Sequence, residues 1–148
     1  MTANPVTRAL RAACAPAMAA IALAALPGAA QEREQVKIAF DHPLPNDAGR
    51  RMVAVTVDYP PGAKSLPHRH AASAFIYAYV VSGAICSQVG DEPAKVYHAG
   101  ESFYEMPGSH HAVSENASDK EPARLLAVFV VDSRDVALTT PDKAAASR

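Results

Sequence analysis

Four of the six histidines in this 148-residue chain fall in two tight groups, His68-Arg-His70 and His110-His111. Alternate side chains of an extended segment point to the same side, so His68 and His70 can face one metal ion. A third nitrogen must then come from elsewhere, and the second group follows a Pro107-Gly108 turn that leads into another predicted strand. A divalent transition ion held by three imidazoles keeps positions open for water or substrate. For an isolated His-x-His, the alternative is surface histidines with no shared partner.

The segments that must position these histidines are predicted to be short β-strands. Apolar residues favour a period of two from Val36 onward, and Phe75–Val81 and the second half of Leu125–Val131 are rich in β-branched and aromatic residues. Turn residues separate the candidate strands, which cover residues 36–40, 51–59, 73–82, 84–89, 94–98, 102–106, 111–115 and 124–132. The sequence therefore predicts an all-β fold. This pattern alone does not choose between a jelly roll, an immunoglobulin-like sandwich and a lipocalin-like barrel.

Two stretches around the histidines resemble the paired motifs of the cupin superfamily. The first motif runs Gly, five residues, His-x-His, three or four residues, Glu, six residues, Gly, and its counterpart is GAKSLPHRHAASAFIYAYVVSG, Gly62 to Gly83. The second runs Gly, five residues, Pro-x-Gly, two residues, His, three residues, Asn, and its counterpart is GESFYEMPGSHHAVSEN, Gly100 to Asn116. Two motifs in the right order are far more specific than either alone.

The resemblance implies an antiparallel jelly-roll β-barrel with a metal ion inside its open end. His68 and His70 match the histidines of the first motif, and His111 matches that of the second. His110 stands one place early, and we interpret it as a neighbour of the site. The implied cofactor is a divalent transition metal, either Fe, Mn, Ni, Zn or Cu. Cupins commonly pair through exposed strands, so a homodimer is also expected.

The chain departs from the family pattern most clearly at the glutamate of the first motif. One alignment places Ala74 at this position and another places Ile76, and neither is a carboxylate. Three neutral imidazoles leave the double charge of the ion uncompensated, so we expect weaker metal binding or an anionic fourth partner. Ser73, Tyr77 and Tyr79 are the candidate replacement donors. In the second motif, Met106 stands at the proline position and Asn116 lies one residue late.

No catalytic residue can be assigned from the sequence. Glu101 and Glu105 share one face of their strand and could act as a general base, although exterior charge is the default interpretation. Four aromatic residues are expected in the core or in a pocket wall, where they favour an apolar or aromatic small molecule: Phe75, Tyr77, Tyr79 and Phe103. The sequence contains neither a nucleophile elbow nor a phosphate-binding glycine loop.

The first 30 residues have the order of a secretory signal peptide. Arg8 and Arg11 precede an apolar run at 12–26, and small residues end at Ala30. We therefore expect cleavage near Ala30, a periplasmic or secreted location, and no membrane association of the mature form. The predicted domain covers residues 31–138, and a flexible polar tail covers 139–148. The chain carries 14 basic and 15 acidic residues, and no basic run suggests a nucleic-acid partner.

Two functions from different classes fit these observations. The first is a small metal-dependent enzyme that acts on a small organic molecule, with dioxygenase-like or isomerase-like chemistry. The second is a non-enzymatic barrel that binds or senses a small ligand and has lost its metal, as the missing glutamate suggests. Metal buffering ranks last because it needs more donors than the chain offers.

Overall fold

The computed structural model describes residues 33–143, which form ten β-strands. The predicted signal peptide and residues 144–148 lie outside this range. The strands are β1 (Gln35–Leu44), β2 (Asp47–Tyr59), β3 (His68–His70), β4 (Phe75–Ser82), β5 (Ala84–Val89), β6 (Lys95–His98), β7 (Ser102–Glu105), β8 (His110–Asn116), β9 (Ala123–Asp132) and β10 (Thr139–Pro141). No helix within residues 33–143 is long and apolar enough to span a membrane.

The strands form two five-stranded antiparallel sheets, as expected for the predicted jelly-roll barrel. The first sheet has the order β1-β2-β9-β4-β7, and the second has the order β10-β3-β8-β5-β6. The predicted strands are present with end shifts of a few residues, the largest at the first two, which extend to Leu44 and begin at Asp47. The fold class predicted from the sequence is therefore confirmed.

Two three-residue strands were not among those predicted. In the structure β3 contains His68 and His70, and β10 pairs with it from Thr139↔His70 to Pro141↔His68. Here the structure differs from the prediction of a flexible tail beginning at residue 139, because residues 139–141 are part of a sheet. Neither segment is long enough to show a period of two, so each depends on its neighbours for its extended conformation.

The hydrophobic core lies between the two sheets and follows the alternation of the long strands. Val53, Val55 and Val57 of β2 point inward, and the inward residues of β4 and β9 continue the layer with Ile76, Ala78, Val80, Leu125, Ala127, Phe129 and Val131. Burying a Val, Leu, Ile or Phe side chain contributes about 1.5–3 kcal/mol. The first sheet therefore supplies most of the apolar core against which the second sheet packs.

Gly83 occupies the tight turn between β4 and β5, where no other residue fits. Its φ is +71°, and an added Cβ atom would lie 2.6 Å from the carbonyl oxygen of Pro122 and 2.8 Å from Ala123. Gly90 also has a positive φ of +60°, but a Cβ atom there would meet nothing within 4 Å. Both positions therefore require a left-handed backbone, but only Gly83 also lacks room for a Cβ atom.

We expect Gly83→Ala to destabilise the protein more than Gly90→Ala. The left-handed conformation costs a non-glycine residue about 1–2 kcal/mol at either position. The contact with residues 122 and 123 adds about 1–3 kcal/mol at position 83 only. Urea unfolding of both variants measures the difference, and equal losses of stability would contradict the assignment of a close approach at Gly83.

Candidate metal centre

The three histidines of the two motifs lie together in the interior of the barrel. His68 and His70 are alternate residues of β3, so both side chains point to the same face. His111 of β8 is directly opposite His68 in the antiparallel pairing, which places its side chain on that face too. One nitrogen from each ring lies within 4.8 Å of the others. The structure therefore brings together the three residues that the sequence predicts as metal ligands.

Hydrogen bonds to the outer nitrogens fix the orientation of two of these rings. Nδ1 of His68 lies 2.7 Å from the carbonyl oxygen of Leu66. Because a carbonyl oxygen only accepts, Nδ1 carries the proton and Nε2 keeps its lone pair. Nε2 of His111 is 2.9 Å from the hydroxyl oxygen of the buried Ser87, which leaves Nδ1 for the interior of the site. Such partners are typical of metal-binding histidines.

His70 shows that the site suits an electron-pair acceptor. Its side chain is 4% exposed, and neither ring nitrogen makes a hydrogen bond. Buried polar atoms are nearly always paired, and leaving one unpaired costs about 1–3 kcal/mol. A metal ion between the three rings would satisfy a nitrogen lone pair of His70. The donor set present therefore fits a divalent transition metal.

Glu105 is the carboxylate of this site, and the expectation that it is an exterior charge is wrong. Its side chain is 4% exposed, with Oε2 2.9 Å from Nε2 of His70 and Oε1 3.4 Å from Nδ1 of His111. Ser109 Oγ donates a long hydrogen bond of 3.4 Å to Oε2. In the sequence, alternation along β7 places Glu105 on the same strand face as Phe103, which packs against the core. Glu101, by contrast, is exposed and caps the backbone of His98.

Burial and the contacts within the cluster together set the protonation of the site. It lowers the pKa of His111 to about 4, against a smaller raising effect of Glu105, and it lowers the pKa of His68 as well. Burial alone would raise the pKa of Glu105, but the contacts with the three histidines outweigh it and hold that pKa below its ordinary value. At neutral pH, His68 and His111 are therefore uncharged and Glu105 is ionised. This protonation state is the one that metal binding requires.

The replacement donors suggested by the sequence do not reach the site. Ser73 Oγ donates to Asp135 and accepts from the backbone of Asp132. Tyr77 is 45% exposed, and Tyr79 alternates with the buried residues of β4, so both lie on the outer face. Phe75 is 40% exposed, so it is not a pocket wall residue either. His110, interpreted from the sequence as a neighbour of the site, lies with its Nε2 2.8 Å from Asp142 Oδ2, outside the histidine cluster.

A cavity of about 420 Å³ opens beside the histidines and has mainly apolar walls. The walls come from the inner face of the first sheet and from residues near the chain ends: Val36, Ile38, Val55, Val57, Leu66, Leu125, Ala127, Phe129, Leu138 and Pro141. Arg33 and Glu34 also line it, and one carboxylate oxygen of Glu34 is buried without a hydrogen bond. Neither residue was singled out in the sequence. A cavity of this size holds a small organic molecule.

The asparagine of the second motif has a structural role here. Asn116 is buried, and its amide nitrogen donates to the carbonyl oxygens of Tyr59, Pro60 and Glu121. Its side-chain oxygen accepts from the backbone N–H of Ser118. Asn116 therefore joins the end of β8 to the end of β2 by hydrogen bonds. None of these four hydrogen bonds involves a residue of the histidine cluster.

Comparisons with known proteins agree with this architecture. Residues 55–129 match the cupin domain family, and this is about half of the chain. The protein belongs to the cupin family. No curated protein sequence matches the chain significantly.

Solved structures of the same fold share little sequence with the chain. An uncharacterized conserved protein with a double-stranded β-helix domain from Klebsiella pneumoniae is 18% identical, with a TM-score of 0.60 over 77% of this chain and 88% of that one. KdgF from Halomonas sp. is 22% identical, with a TM-score of 0.54 over 70% and 84%. A recombinant oxalate oxidase in complex with glycolate is 22% identical, with a TM-score of 0.54 over 65% of this chain and 50% of that one. At these identities the likeness establishes the fold.

The low pKa of His111 predicts that the metal-free protein loses stability in mild acid. The unfolded histidine takes up a proton near pH 6.5 and the folded one only near pH 4, so between these values the unfolded state binds more protons. We expect the free energy of unfolding to fall by about 2 kcal/mol from pH 7 to pH 5 on account of His111. Chelator-treated protein is compared by urea unfolding at both pH values.

The matched variants are His111→Gln and His98→Gln. The first removes the buried titrating group, so its stability should depend less on pH, whereas His98 is exposed on β6 and its replacement should leave the dependence unchanged. An identical pH dependence in His111→Gln and the wild type would refute the assignment to His111.

Proposed function

We propose that this protein is an exported single-domain cupin that binds a divalent transition metal through His68, His70 and His111 and acts on a small organic molecule. The convergence of one nitrogen from each ring within 4.8 Å is the observation that carries the proposal. The unpaired nitrogens of the buried His70 support it further. Iron, manganese, nickel, zinc and copper all accept imidazole ligands, and the donor set is compatible with each of them.

The cavity supports a substrate with an apolar or aromatic body and a polar group at the histidine end. A bound divalent ion supplies Lewis-acid polarisation or oxygen activation, as dioxygenase-like or isomerase-like chemistry requires. The apolar walls would hold the body of the substrate, and the histidines with Glu105 mark the polar end of the cavity. The oxalate oxidase of the same fold was solved with glycolate, a small organic acid. This cavity has room for a molecule of that class.

A metal-free binding protein is the alternative function. Its motivation in the sequence was the missing carboxylate of the first motif. The buried carboxylate of Glu105 lies 2.9 Å from Nε2 of His70, and this favours the metal-binding protein. The apolar cavity alone suits a binding protein as well as an enzyme. A measurement of substrate turnover is therefore needed to distinguish the two functions.

Elemental analysis of the purified exported protein tests the metal site. We expect about one equivalent of a divalent transition metal in the wild type and almost none in the His68→Ala/His111→Ala double variant, because one ring cannot hold the ion alone. His110→Ala is the matched control, since this neighbouring histidine pairs with Asp142 outside the cluster.

Near-zero metal in wild type and double variant alike would favour the metal-free binding protein. Where the wild type holds metal, assays with a panel of phenols, diketones and sugar acids then distinguish an enzyme from a metal-dependent binding protein.

Export and self-association are part of the proposal. The signal-like order of residues 1–30 supports export with cleavage near Ala30. A homodimer is supported by the edge strand β1, on which Phe40 is 49% exposed and the cavity-rim residues Val36 and Ile38 are 62% and 60% exposed. We expect intact mass spectrometry of the exported protein to give a chain starting near Gln31 and light scattering to give twice its mass. An uncleaved chain would refute export, and a monomeric mass would refute the dimer.

A further inference from the structure

We propose that Glu105 is the fourth protein ligand of the metal, so that β7 supplies the carboxylate that β4 lacks. This inference rests on the proposed metal site. It assigns a direct ligand role to a residue outside the glutamate position of the first motif. The geometry of its two carboxylate oxygens, its burial and its register on the neighbouring strand carry the argument.

The position of Glu105 within the barrel is the first step. It is the last residue of β7 and lies directly opposite Ile76 of β4 in an antiparallel pair. Opposed residues point to the same face with Cβ atoms about 4.5–5.5 Å apart. Ile76 is one of the two positions at which the glutamate of the first motif is expected. A carboxylate on β7 therefore enters the barrel from beside the place where the motif would put it.

The contacts of this carboxylate are the second step. It is almost fully buried, and its nearest basic groups among the described residues are the rings of His70 and His111. No Lys or Arg of the described residues lies within salt-bridge distance of it. A buried carboxylate is costly unless a positive charge compensates it, and a divalent ion at the histidines would provide that charge. Ser109 donates to Oε2 and helps to hold the group in place.

The distances are the third step. Two donors bound to one ion at about 2.1 Å, with an angle of 90–109° between them, lie about 3.0–3.4 Å apart. The measured separations are 2.9 Å between Oε2 and Nε2 of His70 and 3.4 Å between Oε1 and Nδ1 of His111, so each carboxylate oxygen lies at about this spacing from one ring nitrogen. Nε2 of His70 has no partner in good hydrogen-bond geometry, so its 2.9 Å approach to Oε2 is a close contact that is poorly aligned for a hydrogen bond. A cation placed between the two atoms would accept a lone pair from each of them.

The charge balance is the fourth step. Three neutral imidazoles contribute no charge toward a divalent ion, and one carboxylate cancels half of the double charge. Within the low-dielectric interior this compensation strengthens binding considerably. With Glu105 as ligand, the donor set becomes three nitrogens and one anionic oxygen. Further coordination positions then remain for water or substrate on the side of the cavity.

The experiment measures Zn²⁺ affinity by competition with a chromogenic chelator in wild type, Glu105→Gln, Glu101→Gln and His68→Ala. Glutamine keeps the size of the side chain and can still accept from Ser109, but it removes the anionic donor. We expect Glu105→Gln to bind at least about 100-fold more weakly, the upper end of what losing an outer partner of a ligand costs. Glu101→Gln makes the same change on an exposed residue and should stay within about twofold of the wild type.

The outcomes separate this inference from the proposed function. A wild type that binds no Zn²⁺, or a His68→Ala variant that binds as tightly as the wild type, would overturn the metal site and this inference with it. Zn²⁺ binding that is lost in His68→Ala but unchanged in Glu105→Gln would overturn only the role of Glu105.

A direct ligand is distinguished from a positioning residue by a second readout. The visible absorption bands of the Co²⁺-loaded protein report the ligand field, and we expect them to differ between wild type and Glu105→Gln. A weaker affinity with unchanged bands would contradict direct ligation. If Glu105→Gln fails to fold, a crystal structure of the Zn²⁺-loaded wild type decides, since a ligand oxygen must lie about 2.0–2.2 Å from zinc.

Discussion

The pairing of His68 with His111 across two short strands is the constraint on which the site depends. Backbone hydrogen bonds hold β3 between β8 and β10, and the register places the two rings opposite each other. The third ring, that of His70, follows two residues along β3 because of the pleat. A shift of this register by one residue would turn both β3 rings away from the interior. The geometry of the site is therefore set by strand pairing, before any contact between the side chains themselves.

Strand pairing also makes residues 138–141 part of the site. The strand β3 has only three residues, and it is extended because β10 pairs along its full length. The backbone N–H of Ala71 donates to Leu138, and that of Asp142 donates to Pro67. Leu138 and Pro141 also line the cavity. This short segment thus holds β3, which carries His68 and His70, and also forms part of the cavity wall.

Sequence periodicity predicts the long strands well because they bury one face against a continuous core. β2 and β9 alternate buried and outward residues over most of their length, and this alternation is visible in the sequence. β3 and β10 could not be found in this way, because three residues do not establish a period. The three histidines were predicted by motif spacing rather than by periodicity. Glu105 was named as a candidate base, but its burial depends on which face of β7 meets the other sheet.

The inward face of the barrel is mainly apolar, but at the candidate site it carries titratable side chains. The inward residues of β2, β4 and β9 are almost all apolar, whereas β3, β8 and β7 turn His70, His111 and Glu105 toward the same interior. Each of these groups costs free energy when buried without a full set of partners. Proteins keep such groups where function requires them. An ion among the three rings would satisfy one nitrogen of His70 and compensate the charge of Glu105, and its binding would then stabilise the fold.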